Sequence, residues 1–459
     1  MAVRAIVLAA GKGTRMRSDA PKVLQPVAGR PIITWVVDSV LAAGADEITV
    51  VVGHEADAVI DVLPGGVRFV VQAEQLGTGH AARVAVDSMG DLEGDTILVV
   101  PGDSPLIRAE TLSALLGAHA TGPAACTLVT TRMPDPTGYG RVLRKDGAVV
   151  AIVEERDADP ATSAIDEVAV STYAFAGTAL VESLGRLEAG NRQGEFYLTD
   201  VVEILAAEGI VGAVEADHGE TLGVNSHDQL AAVDALMRQR INREWMRQGV
   251  WMQDPARVYV DASVTIEPGA RIYPGAHLEG STRVGADAQI GPDAFLSDTT
   301  VGRGARVWYS VLRGAEVGDS VDVGPYASLR PGTILREGAK AGTFVEMKAS
   351  EVGRGSKVPH LSYIGDTTIG EDSNIGAGTI TCNYDGFRKH RTVIGSRVFV
   401  GSDTMLVAPV ELGDDSITGA GSVITRDVSP GALAVERSPQ EEIAGYAERR
   451  ARIAESEGE

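Results

Sequence analysis

From about residue 254 onward, one apolar residue recurs every six positions. Val260, Ile266, Ile272, Leu278, Val284, Ile290 and Leu296 are spaced by six without a miss. The phase then resets. Val301 and Val307 resume it, followed by Val317, Val323, Leu329 and Leu335, then Val352, Val358 and Ile364, then Ile369 and Ile375, and finally Ile394, Val400, Leu406 and Leu412. Many of these residues precede a glycine. This is the hexapeptide repeat of a parallel β-helix, in which no coil can bury its inward residues alone and stacking makes the core. Seven consecutive matches argue against a β-sandwich with chance spacing. Segments 336–351 and 376–393 break the period and are expected to be loops on one face of the solenoid, where binding residues tend to gather.

The repeat leaves half of the chain unexplained. At 459 residues the chain is too long for one ordinary core, so a second domain is expected. Apolar residues at 44% and charged residues at 23% are globular proportions, which confines disorder to short pieces. A net charge of −22 repels nucleic acid and anionic lipid, so neither nucleic acid nor membrane is an expected partner. Small anionic substrates then require local cationic pockets. Cys126 and Cys382 cannot build a disulfide framework, which fits a reducing compartment. The apolar stretch in MAVRAIVLAAGKG is broken by glycine too early for a secretory or membrane segment, so a cytoplasmic location is expected.

Residues 3–230 alternate apolar runs with amphipathic stretches. VRAIVL (3–8), EITVVVG (47–53) and TILVVPGD (96–103) read as strands, and 31–44 and 80–89 as helices. Such alternation predicts a buried parallel sheet with helices on both faces. Residues 229–249 read as one helix, with Leu230, Val233, Met237, Ile241 and Trp245 on one face. The expected division is a domain over 1–228, a linker helix over 229–249, the β-helix over 250–443 and a charged tail over 444–459, frayed or disordered.

The first strand runs into AAGKGTRM (9–16) and SDAPKVL (18–24). A glycine-rich turn after a first strand cradles phosphates with its backbone amides, and Arg15 and Lys22 add two cations beside it. The pattern is neither a Walker loop nor a dinucleotide fingerprint, because Met16 stands where the third glycine belongs. PGDSPL (101–106) puts Asp103 at the carboxyl end of a strand, where ligands bind in such sheets, and a carboxylate there suits magnesium. Asn225, in GVNSHDQL, reads as a helix N-cap on its position alone.

The string LAAGKGTRMRSDAPKVLQPVAGRP (8–31) resembles the sugar-1-phosphate nucleotidyltransferases, and QAEQLGTGHA (72–81) resembles their uridylyl-transferring members. That resemblance implies a UTP and UDP-sugar site made of Leu8, Ala9, Ala10, Gly11, Lys22, Gln72, Gly77, Thr78, Gly102, Gly140, Glu154, position 169 and Asn225. It makes Arg15 and Lys22 catalytic cations and Asn225 the second magnesium ligand beside Asp103. Gln72 and the Gly77-Thr78 pair would read the uracil edge. One departure stands out. Ala169, in EVAVSTYAF (167–175), replaces the asparagine expected to hold the sugar, and Ser171 replaces a glycine. Alanine offers no side-chain hydrogen bond. A shifted register that brings Ser171 or Thr172 to the sugar is the expected compensation.

In the β-helix, polar groups cluster between residues 326 and 437: Arg330, Lys348, His360, Tyr363, Asn374, Ala377, Asn383, Tyr384, Ser402, Ala420 and Arg437. On spacing alone His360 is more simply a stacked core residue, although an imidazole suits proton removal from an ammonium at neutral pH. Over the whole chain the order of motifs resembles the bacterial bifunctional N-acetylglucosamine-1-phosphate uridyltransferase / glucosamine-1-phosphate acetyltransferase family. The resemblance implies an α/β, Rossmann-like nucleotidyltransferase domain followed by an all-β left-handed parallel β-helix, assembled as a homotrimer. It implies His360 as catalytic base. Arg330, Lys348, Tyr363 and Asn374 would hold glucosamine-1-phosphate, and Ala377, Asn383, Tyr384, Ser402, Ala420 and Arg437 acetyl-CoA. The expected reactions are acetylation of glucosamine-1-phosphate, then uridylyl transfer from UTP to N-acetylglucosamine-1-phosphate. The alternatives are a single nucleotidyltransferase with a regulatory β-helix, and a scaffold with dead sites.

Overall fold

Apolar runs of six residues, too short for helices, become the central strands of the N-terminal unit. The computed structural model describes residues 2–11, 13–18 and 20–457, and the chain divides into two units near residue 243. In the first, the strands are β1 (Val3–Leu8), β2 (Glu47–Val52), β3 (Arg68–Val71), β4 (Thr96–Pro101), β5 (Cys126–Arg132), β6 (Gly140–Lys145), β7 (Ala148–Val153), β8 (Glu167–Ala176) and β9 (Val211–Glu215). They form one sheet in the order β9-β5-β8-β4-β1-β2-β3, with the β6–β7 hairpin attached through β8.

The sheet is mixed, not wholly parallel as the alternation of elements predicts. β8 runs antiparallel to both β4 and β5, because the chain re-enters the sheet from the β6–β7 hairpin instead of through a crossover helix. Period-two alternation feeds two cores. Ala5 and Val7 of β1 pack with α1 (Ile32–Ala42) and α3 (Ala109–Thr121) on one face. Ile6 packs with α2 (Thr78–Met89), α4 (Gly177–Leu184) and α5 (Asp200–Glu208) on the other. Helix α6 spans His227–Arg247, two residues ahead of its expected bounds. Gly249 follows it at φ 95°, a left-handed conformation that stops a helix. Its Val233 and Met237 are buried, whereas Leu230 and Ile241 are only partly covered.

The second unit is a left-handed parallel β-helix whose short strands stack into three sheets of 11, 10 and 9 strands. The apolar residue of each hexapeptide points inward: Ile272, Leu278, Ile290, Leu296, Val307, Val358, Ile364, Ile375, Val400 and Leu406 are all fully buried. The phase resets where a corner is shortened. Glu279 is joined to Arg283 through Gly280, but Ser297 reaches Thr300 one residue sooner, with Asp298 at φ 50° making the turn. Buried hydroxyls seal the corners: Thr282 donates to the Glu279 carbonyl (2.6 Å), Thr333 to that of Arg330 (2.7 Å) and Ser362 to that of His360 (2.7 Å). These bonds give the buried hydroxyls their partners.

The expected loop over 336–351 is not there. Ala341 and Met347, both buried, keep the inward stack going through strands Lys340–Thr343 and Glu346–Lys348. Alanine fills an inward place without looking apolar enough to mark the period. Segment 376–393 does leave the coil. Thr381 takes the inward position, and the chain then loops out over 383–391, closed by a bridge between Tyr384 and Lys389. The tail forms helix α7 (Tyr446–Glu457), exposed where its side chains are described, and the expected tail's Gly458 and Glu459 lie outside the described residues. Among the described residues no helix is long and apolar enough to cross a membrane.

Each inward residue is covered by the coils above and below it, so truncation leaves a cavity that stacking holds open. We expect Leu329→Ala to destabilise the β-helix by about 3 kcal/mol. The shift of its denaturant midpoint by circular dichroism is the check, and an unchanged midpoint would contradict an inward Leu329.

Candidate functional site

Three parallel strand ends and the glycine turn surround a cavity of about 580 Å³ in the N-terminal unit. Leu8, Ala9, Ala10 and Gly11 form one wall, carried by the end of β1. Backbone bonds tie the neighbouring strand ends together: Ala9 N–H donates to Val51 O (2.9 Å), Gln72 N–H to Val52 O (2.8 Å) and Gly102 N–H to Leu8 O (2.8 Å). Gly102 has no room for a side chain, since a Cβ there would lie 2.9 Å from the Leu8 carbonyl oxygen and 3.0 Å from Ile33. A second chamber of about 150 Å³ adjoins the first and shares Arg15, Asp103, Glu154, Ser171, Thr199 and Asn225 with it.

At the junction the Lys22 ammonium forms a short ion pair with Asp103 and donates to Asn225 Oδ1 at 3.0 Å. The N-cap reading of Asn225 does not hold, because its carboxamide oxygen turns to Lys22 and not to a helix amide. Two hard oxygens therefore converge on one cation, a donor set that fits a magnesium ion completed by water and phosphate oxygens. Among the described residues there is no cluster of three or more acidic, His or Cys side chains that could hold a metal ion. Arg15 is exposed and lines both chambers.

Gln72 directly follows the end of β3 and lines the cavity. It is 3% exposed, and its Nε2 bonds both Gly77 O (3.1 Å) and His80 Nδ1 (3.0 Å). Gly77, at φ 104°, could not carry a side chain, because a Cβ would stand 2.5 Å from Phe196 O. Thr78 Oγ1 accepts from Leu198 N–H (3.0 Å), so segment 195–199 is laced to the start of α2. That segment supplies Glu195, Tyr197, Leu198 and Thr199 to the cavity wall, none of which the motifs identified.

Glu154 is held by Thr199 Oγ1 at 3.0 Å, and burial pushes its carboxyl above the usual range. Gly140 lies beside it, where a Cβ would come 2.7 Å from Ile152 and 3.6 Å from the Glu154 carboxylate. Asp200, first residue of α5, is pushed up to about 6 by desolvation and then by Glu154, Glu203 and Asp157. Ala169 is in register opposite Gly140 and lines the smaller chamber. The register of β8 against β5 shifts only after it, between Ala169 and Tyr173. Ser171 sits in that irregularity at φ 55°, the conformation that favours glycine, and faces both chambers. Thr172 is turned inward, with its hydroxyl on Val170 O (3.4 Å), and lines neither chamber.

In the β-helix, register decides which residues meet. Pairing runs from Thr343 to His360, and continuing it from Val358 to Ile375, Val400 and Thr418 brings His360, Ala377, Ser402 and Ala420 one above another at one corner. Successive rungs lie about 4.8 Å apart. His360 is exposed, and Val358 holds the inward place, so the core-histidine reading is excluded. Ala377, Ser402 and Ala420 line a shallow hollow of about 490 Å³ with Leu361, and Arg437 Nη1 donates to Ala420 O (2.8 Å). Arg330 and Lys348 are neighbours on another sheet, and Arg330 is paired with Glu346 (2.9 Å). Tyr363 and Asn383 crowd Gly365, where a Cβ would lie 2.6 Å from the tyrosine hydroxyl and 2.5 Å from Asn383 Nδ2. Asn383 Nδ2 also donates to Asp366 (2.6 Å), while Asn374 stands apart, beside Lys357 and Phe399, and Tyr384 is exposed on the loop. Lys389 was not singled out in the sequence. It stands beside Lys348 and pushes that ammonium below the usual lysine range. The basic run FRKHR (387–391), in a break of the period, was the available signal.

Residues 5–249 match the MobA-like NTP transferase domain, and residues 391–426 match the bacterial transferase hexapeptide. The chain is 46% identical to "Bifunctional protein GlmU" of Pelobacter propionicus over 451 residues, covering 97% of this chain and 98% of that one. It is 48% identical to the protein of that name from Heliobacterium modesticaldum, covering 95% of each chain. The Streptomyces avermitilis protein of that name is 46% identical, covering 97% of this chain and 94% of its own.

Two outcomes follow from this geometry. Left-handed strain at Ser171 is worth about 1–2 kcal/mol and glycine's entropy about 0.5–1 kcal/mol. Ser171→Gly should therefore stabilise the unit slightly, read as a rise in its thermal midpoint. For Asp200 the folded value, about 6, lies above the ordinary carboxylate value of 3.8. The folded state then binds more protons, so stability falls as pH rises through that window. Asp200→Asn should be more stable than the parent above pH ~6 and lose that advantage toward pH ~4. Urea titrations across the range measure it, and a constant difference would contradict the assignment.

Proposed function

The chain belongs to the GlmU family and is a bifunctional enzyme of UDP-N-acetylglucosamine synthesis, and we propose that the residues assembled above divide its two reactions between its two units. The observation that carries the first half is the convergence of Lys22, Asp103 and Asn225 beside the glycine turn. In the N-terminal unit a phosphate oxygen of N-acetylglucosamine-1-phosphate attacks the α-phosphorus of UTP, and the bond to pyrophosphate breaks. The attacking oxygen is already anionic, so the residues need to position and neutralise charge rather than remove a proton. Backbone amides of residues 9–11 and the Arg15 guanidinium hold the triphosphate, and Lys22 neutralises the α-phosphate. Asp103 and Asn225 would hold magnesium, which supplies neutralisation of the phosphate oxygens when bound. Gln72, Gly77 and Thr78 hold uracil. Glu154 and Gly140 flank the sugar, with the Ser171 hydroxyl standing in for the amide that Ala169 lacks.

In the β-helix the 2-amino group of glucosamine-1-phosphate attacks the thioester carbonyl of acetyl-CoA, and coenzyme A leaves as the thiol. His360 takes the ammonium proton. Arg330, Lys348 and Lys389 hold the sugar phosphate, where the charge of the bound anion relieves the repulsion between the two lysines. Tyr363 and Asn374 hold the sugar, Asn383 and Tyr384 shape the acetyl site, and Ala377, Ser402, Ala420 and Arg437 border coenzyme A. These groups lie on different sheets of one chain, which supports completion of the cleft by neighbours in a homotrimer. Cytoplasmic location is part of this reading, and the two free cysteines, Cys126 and Cys382, fit a reducing compartment.

His360→Ala should lower thiol release from acetyl-CoA and glucosamine-1-phosphate by about a hundredfold or more, and leave pyrophosphate release from UTP and N-acetylglucosamine-1-phosphate nearly unchanged. Loss of both would contradict separate sites. In the reverse sense, Asp103→Asn should lower pyrophosphate release by about a hundredfold, raise the magnesium needed for half-maximal rate, and spare thiol release.

A further inference from the structure

The Gln72 amide is oriented before any base arrives. The Gly77 carbonyl can only accept a hydrogen bond, so the atom 3.1 Å from it has to be the amide nitrogen of Gln72. The second hydrogen of that nitrogen points at His80 Nδ1, 3.0 Å away. Both protons are then committed. The described residues give Oε1 no hydrogen-bond partner, and it is not sealed in the interior, since it is absent from the buried polar atoms that lack one. The side chain itself is 3% exposed and lines the cavity. A free amide would turn either end to a ligand, but this one presents an acceptor only.

His80 completes the arrangement from outside the cavity. To accept from Gln72 its Nδ1 has to carry no proton, which fixes the neutral imidazole with the hydrogen on Nε2. His80 is the third residue of α2, and the start of that helix is held by Gly79 N–H on Phe196 O (2.8 Å) and by Thr78 on Leu198 N–H (3.0 Å). The imidazole is thus carried by a helix start that the cavity-walling segment 195–199 holds in place.

We infer that His80 is a positioning residue for nucleobase selection, holding Gln72 so that its carbonyl oxygen faces the base and favours a pyrimidine with an N3–H donor over one whose N3 is an acceptor. Uracil offers N3–H. Cytosine presents a lone pair at N3, which would meet the lone pairs of Oε1. A site built to accept a hydrogen rejects the analogue lacking it, because the buried acceptor is left unpaired. This inference rests on the uridylyl-transfer reading of the cavity and adds to it the residue that sets the polarity of Gln72.

The test compares UTP with CTP as nucleotidyl donor for N-acetylglucosamine-1-phosphate, measuring kcat/KM by pyrophosphate release in the full-length protein. His80→Ala removes one of the two anchors, and the UTP/CTP ratio should fall about tenfold or more. His80→Asn, whose Oδ1 can accept near the place of Nδ1, should restore most of the ratio. His80→Lys, which can only donate, should turn Nε2 toward the base and lower the ratio further. Circular dichroism and thiol release from the β-helix report whether each variant is folded. A His80→Ala variant that loses rate equally with both nucleotides shows a structural role only and overturns the inference while leaving uridylyl transfer intact. A parent protein that releases no pyrophosphate with UTP, or uses CTP as well as UTP, overturns the reading beneath it as well.

Discussion

One ammonium held between a carboxylate and a carboxamide organises the nucleotidyl half of this protein. Lys22 opens a short 3-10 helix after the glycine turn, Asp103 follows the end of β4 and Asn225 lies on the approach to α6, more than a hundred residues further on. Nothing local brings them together. Their meeting needs β1 and β4 adjacent and parallel, so that both strands deliver their carboxyl ends to the same edge. The fold therefore sets two cations, Arg15 and Lys22, at one edge of a strongly acidic molecule, among the carboxylates of Asp103, Glu154 and Glu195.

The β-helix meets the same requirement differently. Its register is fixed by inward residues, and whatever follows them is brought into columns. His360, Ala377, Ser402 and Ala420 share a column because Val358, Ile375, Val400 and Thr418 share the core. A slip of one residue would turn the whole inward set outward. The placement of these candidate residues is thus a by-product of packing, and small residues at Ala377 and Ala420 leave the hollow open. The loop over 383–391 adds what the repeat cannot supply, a cluster of cations that has no counterpart elsewhere in the period.

Much of this was legible in the chain. The inward residues of nearly every coil, the glycine turn, Lys22 and Asp103 are all readable, because each depends on neighbours in sequence or on a regular period. What was misread has a common cause. Ala341 continues the core although alanine is too small to announce it, and so 336–351 looked like a loop. Asn225 looked like a cap because its partner lies some two hundred residues away. Lys389 was hidden in a basic run that has no meaning until Lys348 is placed beside it.

The departures at 169 and 171 draw the line most clearly. The sequence alone determined that a side-chain amide is missing at Ala169 and that a glycine has become Ser171, along with the domain types, the repeat and the turn. Only the tertiary structure decided that Ala169 keeps its place opposite Gly140, that Thr172 is spent inside the sheet, and that Ser171 holds the left-handed conformation and reaches both chambers. Composition and period record which groups a chain owns. Which of them share a cavity depends on strand register and on where the sheet breaks it, and those are settled by packing between residues far apart in sequence.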